Sequence, residues 1–307
     1  MSRLGPLLLL LASAAAAADA DAPFLWQVQG PRATHYLLGS IHLLPDSEQD
    51  LPDGIAAAYD ASDGVVFETD IGAMMDPQTQ LTMLAAARSE GGIRSEIGDK
   101  LYAQLVKYAH GLEMPMSVCE PFKAWFCAMS LEIFNYRKAG FSGANGIDEQ
   151  IYGWAKDDGK NIHWLESPDA QIALFSTMPE PMAREFLSSE MDGAGTSADD
   201  PAELMRAWRD NDVVKLEGLI RDFRTRYPAT YERLLANRNR DWLPQLKRIL
   251  DGASPRLVVV GAAHCIGRDG LIAQLTAHGY KVLPYLPPQS QVVTMAGPHQ
   301  VRTALRR

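Results

Sequence analysis

Apolar residues in the first part of the chain come in short runs of strand length. "FLWQVQ" and "THYLLGSIH" are separated by the turn-forming "GPRA", which predicts a β-hairpin over about 24–41 whose second strand ends at Gly39. "LPDGIAAAYDAS" then has Ala-rich helical spacing, and "GVVFETD" reads as a short buried strand. Strand, helix and strand of these lengths predict a β-α-β unit, with a right-handed crossover and parallel pairing of its strands.

The period then changes. Between Pro77 and Gly140, "QTQLTMLAAARSE", "GDKLYAQLVKYAHGL" and "PFKAWFCAMSLEIFNYRKAG" place apolar residues three and four apart, which predicts helices with Met and aromatic stripes facing a core. Pro121 reads as the start of the third helix. "GIDEQIYGWAKDDGKNIHWLES" predicts a helix and a short strand over Asn161–Leu165, followed by two helices around 168–191. The small, acidic stretch 192–201 reads as an exposed loop. Three more helical segments follow, with Pro201 and Pro228 at first-turn positions. "RLVVVGAAH", "DGLIAQLTAHG" and "YKVLPYL" then predict a second β-α-β unit. The expected fold is α/β with an α+β character: a mixed, partly parallel central sheet built from both chain ends, interrupted by a large, mostly helical insertion. One interwoven domain over 23–286 and a patternless tail over 287–307 complete the reading.

Composition adds a compartment. "MSRLGPLLLLLASAAAAADADAP" has a basic start, a Leu-rich core too short for an anchor of roughly 20 residues, and small residues suited to cleavage between Ala16 and Ala22. Residues 1–20 therefore read as a signal peptide. The mature protein is expected outside the cytoplasm, in the periplasm of a bacterium, with no integral membrane segment. A formal charge of -9 without a dense basic block argues against nucleic acid. Three cysteines, Cys119, Cys127 and Cys265, leave at least one without an intrachain partner. On one continuous helix Cys119 and Cys127 would lie about 12 Å apart, beyond the roughly 7 Å bridging limit. A helix starting at Pro121 would let Cys119 fold back, so that pairing stays open.

Three apolar strands end in chemistry-bearing residues: His42 after "YLLGSI", Glu68 after "VVF" and His264 after "VVVGAA". Groups beyond the carboxyl ends of neighbouring strands can converge although distant in sequence. Both histidines sit in G-x-x-H, of which chance supplies about half a match in a chain with this Gly and His content. Two imidazoles and a carboxylate suit a divalent transition metal such as zinc, manganese or cobalt, with open positions for water and substrate. Without metal, the same trio can supply a general base and its electrostatic partners. Arg238 in "NRNRDW" can clamp a carboxylate or oxyanion. Cys265 is a weaker candidate nucleophile. H-E-x-x-H, G-x-S-x-G, the Walker loop and G-x-G-x-x-G are all missing from the sequence.

"YLLGSIHLLP", "VVFETD", "GIDEQIYGWAKDDGKNIHWLE", "NRNRDW" and "VVVGAAHCIGRDGLIAQLTAHGYKV" together resemble the TraB/PrgY/GumN family, to which the Tiki metalloproteases are related. The likeness spans about 24–284. It implies a fold similar to the erythromycin-esterase and ChaN-like group. The implied site has His42, Glu68 and His264 as metal ligands, Glu68 and Arg238 in catalysis, and Asp148 and Glu166 as supporting groups. The Cys265 position is commonly a larger aliphatic in relatives. The implied activity is a Tiki-like metal-dependent hydrolase, a peptidase acting on a peptide or small secreted protein. The alternative is a non-catalytic periplasmic protein that binds metal or haem or sequesters peptides.

Overall fold

The computed structural model describes residues 22–45, 50–142, 146–192 and 201–286. The expected signal peptide, the tail over 287–307 and most of the 192–201 loop lie outside these residues.

Eight strands are present among the described residues: β1 (Leu25–Gln29), β2 (Thr34–Ser40), β3 (Leu44–Pro45), β4 (Gly64–Phe67), β5 (Phe141–Ser142), β6 (Asn161–Trp164), β7 (Arg256–Gly261) and β8 (Lys281–Pro284). Six of them form one mixed sheet in the order β6-β4-β7-β2-β1-β8. The hairpin β1–β2 is antiparallel, as is β1–β8, whereas β2–β7, β7–β4 and β4–β6 are parallel. The central runs "GVVF" and "LVVV" are buried throughout, the pattern of strands covered on both faces. β3 and β5 form a separate two-stranded ladder that the apolar pattern does not announce.

Neither predicted β-α-β unit pairs its own strands. β2 and β4 run parallel, but β7 is inserted between them, and β8 joins β1 at the sheet edge instead of pairing with β7. Strand direction follows from the helical crossover; adjacency depends on a partner almost two hundred residues away. The insertion of β7 brings the carboxyl ends of β2, β7 and β4 side by side.

The insertion is helical as expected, with Pro77, Pro168, Pro201 and Pro228 all in first turns. Asp76 and Ser167 cap the first two of these helices by accepting backbone N–H bonds. One apolar core follows the sheet, and a second lies within the insertion around Trp125, Leu131 and Leu187. Among the described residues no helix is long and apolar enough to cross a membrane.

Cys119 and Cys127 are bridged, with Cα atoms 4.9 Å apart. The helix begins at Ala124 rather than Pro121, and a 3-10 turn at Met116–Val118 leads into the fold-back. Both sulfurs lie inside the insertion's core, and Cys265 is buried as a free thiol. Closing a loop this short restricts the unfolded chain by about 2–3 kcal/mol. Cys127→Ser is expected to lower the unfolding free energy by that amount, read from denaturant midpoints with and without reductant.

Candidate active site

Four parallel strands deliver their last or next residues to one sheet edge. β2 leads to Ser40 and His42, β7 to Gly261 and His264, β4 to Glu68, and β6 to Glu166. Backbone bonds continue the β4–β6 pairing beyond the strands, with Glu166 N–H donating to the Glu68 carbonyl at 2.9 Å, so the two carboxylates arrive together. His264 sits on a single helical turn, Ala262–Cys265, that starts directly on Gly261.

Arg238 occupies the middle. Its Nη2 donates to Glu68 Oε2 at 2.6 Å and to Glu166 Oε1 at 2.7 Å, and its Nε donates to Glu166 Oε2 at 3.2 Å. Its Nη1 donates to His264 Nε2 at 2.9 Å and to the Leu234 carbonyl at 3.3 Å. A guanidinium has five N–H donors, and these contacts use all five. Arg238 therefore positions Glu68 and His264 and has no donor left for an oxyanion. A π-helical turn, Glu232–Ala236, immediately precedes it, and the Trp242 ring lies 4.6 Å from its guanidinium carbon. Trp242 Nε1 also donates to Glu166 at 3.0 Å.

His264 is similarly engaged. Asn239 Nδ2 donates to the His264 and Asp269 carbonyls at 3.2 and 2.8 Å, which turns Asn239 Oδ1 toward the ring to accept from Nδ1 at 2.7 Å. With Arg238 donating to Nε2, the ring is the neutral Nδ1–H tautomer. Burial pushes its pKa down to about 3, more than the neighbouring Glu68 charge raises it. Burial alone would raise Glu68, but Arg238, reinforced by the Gly261 N–H at 2.6 Å, holds it well below the usual carboxylate range.

His42 differs. Its side chain is 66% exposed, and its Nδ1 lies 2.7 Å from Asp148 Oδ2, while Ser40 Oγ donates to the other oxygen at 2.6 Å. Asp148 is in the first turn of the helix Ile147–Asp157, and the Ile147 N–H donates to the Ile41 carbonyl at 3.1 Å. Gly146 makes this approach possible, because a Cβ there would stand 2.3 Å from the His42 carbonyl oxygen. The Asp148 charge raises the His42 pKa, and water around the exposed ring screens that effect.

Gly261 leaves a space between these groups. A Cβ on it would stand 3.3 Å from Glu68 Oε1, 3.5 Å from His42 Nε2 and 3.7 Å from the His264 ring. The expected three-ligand metal does not fit this arrangement, since Arg238 already holds the His264 Nε2 lone pair and one Glu68 oxygen. Among the described residues, no group of three or more His, Cys, Asp or Glu side chains is placed to hold a metal ion. The polar cluster forms one end of a cavity of about 360 Å³ whose remaining wall is largely apolar.

The profile of the TraB/PrgY/gumN family matches residues 24–284. The chain belongs to this family. It is 24% identical to the uncharacterized protein YbaP of Shigella flexneri over 247 residues, covering 79% of this chain and 87% of that one. The Escherichia coli K12 protein of the same name is 24% identical over 241 residues, with 77% and 85% covered. No solved structure matches. For this TraB/PrgY/gumN chain, the structure brings His42, Glu68, Arg238, His264, Asp148 and Glu166 to one sheet edge, in two hydrogen-bonded groups that face each other across Gly261. Cys265 is buried, and burial pushes its thiol up, so it is no nucleophile. Sequence reasoning missed Ser40, Asn239 and Trp242. The last two sit one and four residues after Arg238, on the turns of the helix that carries it.

Because the folded His42 pKa lies above its unfolded value, the His42–Asp148 pair contributes stability fully below about pH 6.5 and loses it as pH rises through the folded value. In Asp148→Asn the His42 midpoint is expected to fall well below the wild-type value, because the largest influence raising it is removed. Ring-proton NMR titration checks this, and an unchanged midpoint would remove Asp148 from the role.

Proposed function

We propose that this TraB/PrgY/gumN protein is an exported hydrolase of a carboxylic-acid derivative, with a peptide-type amide as the preferred bond. One observation carries the reading: a proton donor, His42 Nε2, and an acceptor, Glu68 Oε1, border the same space above Gly261 at the end of a cavity. Amide hydrolysis needs a proton taken from the attacking water and another given to the leaving nitrogen.

Asp148 keeps His42 protonated and oriented, so Nε2–H faces the leaving group. Glu68, fixed by Arg238 and the Gly261 N–H, orients the water and accepts its proton as the carbonyl is attacked. Its depressed pKa makes it a weak base, so the rate depends chiefly on the His42 proton and on placement of the water. Neutral His264 packs beside this pair and carries no charge that would compete for the Glu68 oxygen.

His42→Ala is expected to lower kcat/KM by about 10²- to 10⁴-fold on a panel of peptides and acyl esters. Gly261→Ala tests the space itself: its φ of -52° suits alanine, so circular dichroism should stay unchanged while activity falls as the methyl fills the gap. No turnover by the wild type across the panel would sink the proposal. Activity lost to a chelator and restored by Mn²⁺, Co²⁺ or Zn²⁺ would instead give the chemistry to a metal on His42, Glu68 and His264.

Export is supported by the leader-like residues 1–20 and by the Cys119–Cys127 bridge, which persists in oxidising compartments. Intact mass of protein recovered from a periplasmic fraction is expected to place the new amino terminus between Ala16 and Ala22. An uncut chain confined to the cytoplasm would rule export out.

A further inference from the structure

The cavity is far less polar than the chemistry at its end. Beyond the strand-end cluster, its wall is made by Met129, Phe175, Phe186, Leu216, Phe223 and Leu235 with other apolar neighbours. The polar lining residues outside the cluster include Glu132, whose charge acts on His42, and Gln171. A peptide threaded through such a chamber would bury an N–H and a C=O every 3.3–3.4 Å or so with only Glu132, Tyr136 and Gln171 beyond the cluster to pair them, at a cost of about 1–3 kcal/mol for each group left unpaired. A single side chain entering from outside is too small. An apolar cavity of about 150 Å³ encloses one benzene ring, and this one is about 360 Å³.

We propose that the chamber binds the acyl half of the substrate, and that this half is an unbranched, medium-length hydrocarbon chain joined to the carbonyl held between His42 and Glu68. The reacting end rests on the hydrolase reading above; the chain-binding chamber does not. With each methylene taking up about as much space as a water molecule, near 30 Å³ in the liquid, the chamber holds roughly twelve carbons. A partition sets that length. Met129, Gln171 and Phe175 line both the chamber and a second, smaller cavity of about 80 Å³ on the side of Trp125 and Met83. Removing one of the two apolar side chains joins the cavities and lengthens the chamber.

Isothermal titration of the full-length mature protein with n-alkanoic acids of four to sixteen carbons tests this. Affinity is expected to rise roughly three- to fourfold with each methylene, then stop rising near twelve carbons. Phe175→Ala should move that limit by at least two carbons. Phe175 also stacks on Trp125 and contacts Phe186, so Met129→Ala supplies a second opening of the same partition. Affinity independent of chain length, a limit unmoved in both folded variants, or a capped trileucine peptide that binds as tightly as dodecanoate would overturn the proposal. Turnover of p-nitrophenyl alkanoates separates the two readings. Length-dependent binding without hydrolysis keeps the chamber and removes the hydrolase, whereas peptide cleavage with no length dependence keeps the hydrolase and removes the chamber.

Discussion

Arg238 is the constraint on which the site depends. Its buried guanidinium ties together Glu68 from β4, Glu166 from beyond β6 and His264 from beyond β7, three groups that the sheet alone would leave free to rotate. Burying Arg238 and two carboxylates is costly unless each is paired and hydrogen-bonded, and here every guanidinium donor has an acceptor. The same saturation decides what the site can do. Glu68 is held ionised, His264 is held neutral by the donor on its Nε2, and His42 is the imidazole whose pKa is raised.

His42 belongs to a second, smaller network of Asp148 and Ser40 that reaches the first only across the gap above Gly261. A rigid side of one guanidinium and two carboxylates therefore faces a more exposed imidazole. Between them lies the space that a methyl on Gly261 would enter, continuous with a largely apolar chamber. Most of the charged lining belongs to these two groups, with Glu132 outside them.

Most elements were legible in the sequence because they are announced locally. Apolar runs on either side of a turn cluster marked the β1–β2 hairpin, short apolar runs marked β4 and β7, and three-to-four spacing with proline starts marked the helices. The strand-end residues His42, Glu68 and His264 were legible for the same reason, each being the first chemistry-bearing group after an apolar run. The unread features depend on partners remote in sequence or on local turns that no periodicity marks. β7 lies between β2 and β4 through contacts with segments some two hundred residues away. The fold-back that brings Cys119 to Cys127 comes from a 3-10 turn and a later helix start than Pro121 suggested. That Arg238 has no donor to spare, and that His264 thereby loses its Nε2 lone pair, follows from neighbours at positions 68, 166 and 234, which no periodicity records.

The insertion of β7 between β2 and β4 also fixes an order in time. A chain emerging from the ribosome has made His42 and Glu68 long before it reaches Gly261 and His264, and until then the middle of the sheet is missing. Glu68 lacks its backbone donor, Arg238 lacks one of its acceptors, and the chamber has no floor. Pairing so distant in sequence is slow to form. A strand made late thus joins β2 to β4 and brings Gly261 and His264 to the other residues of the cluster.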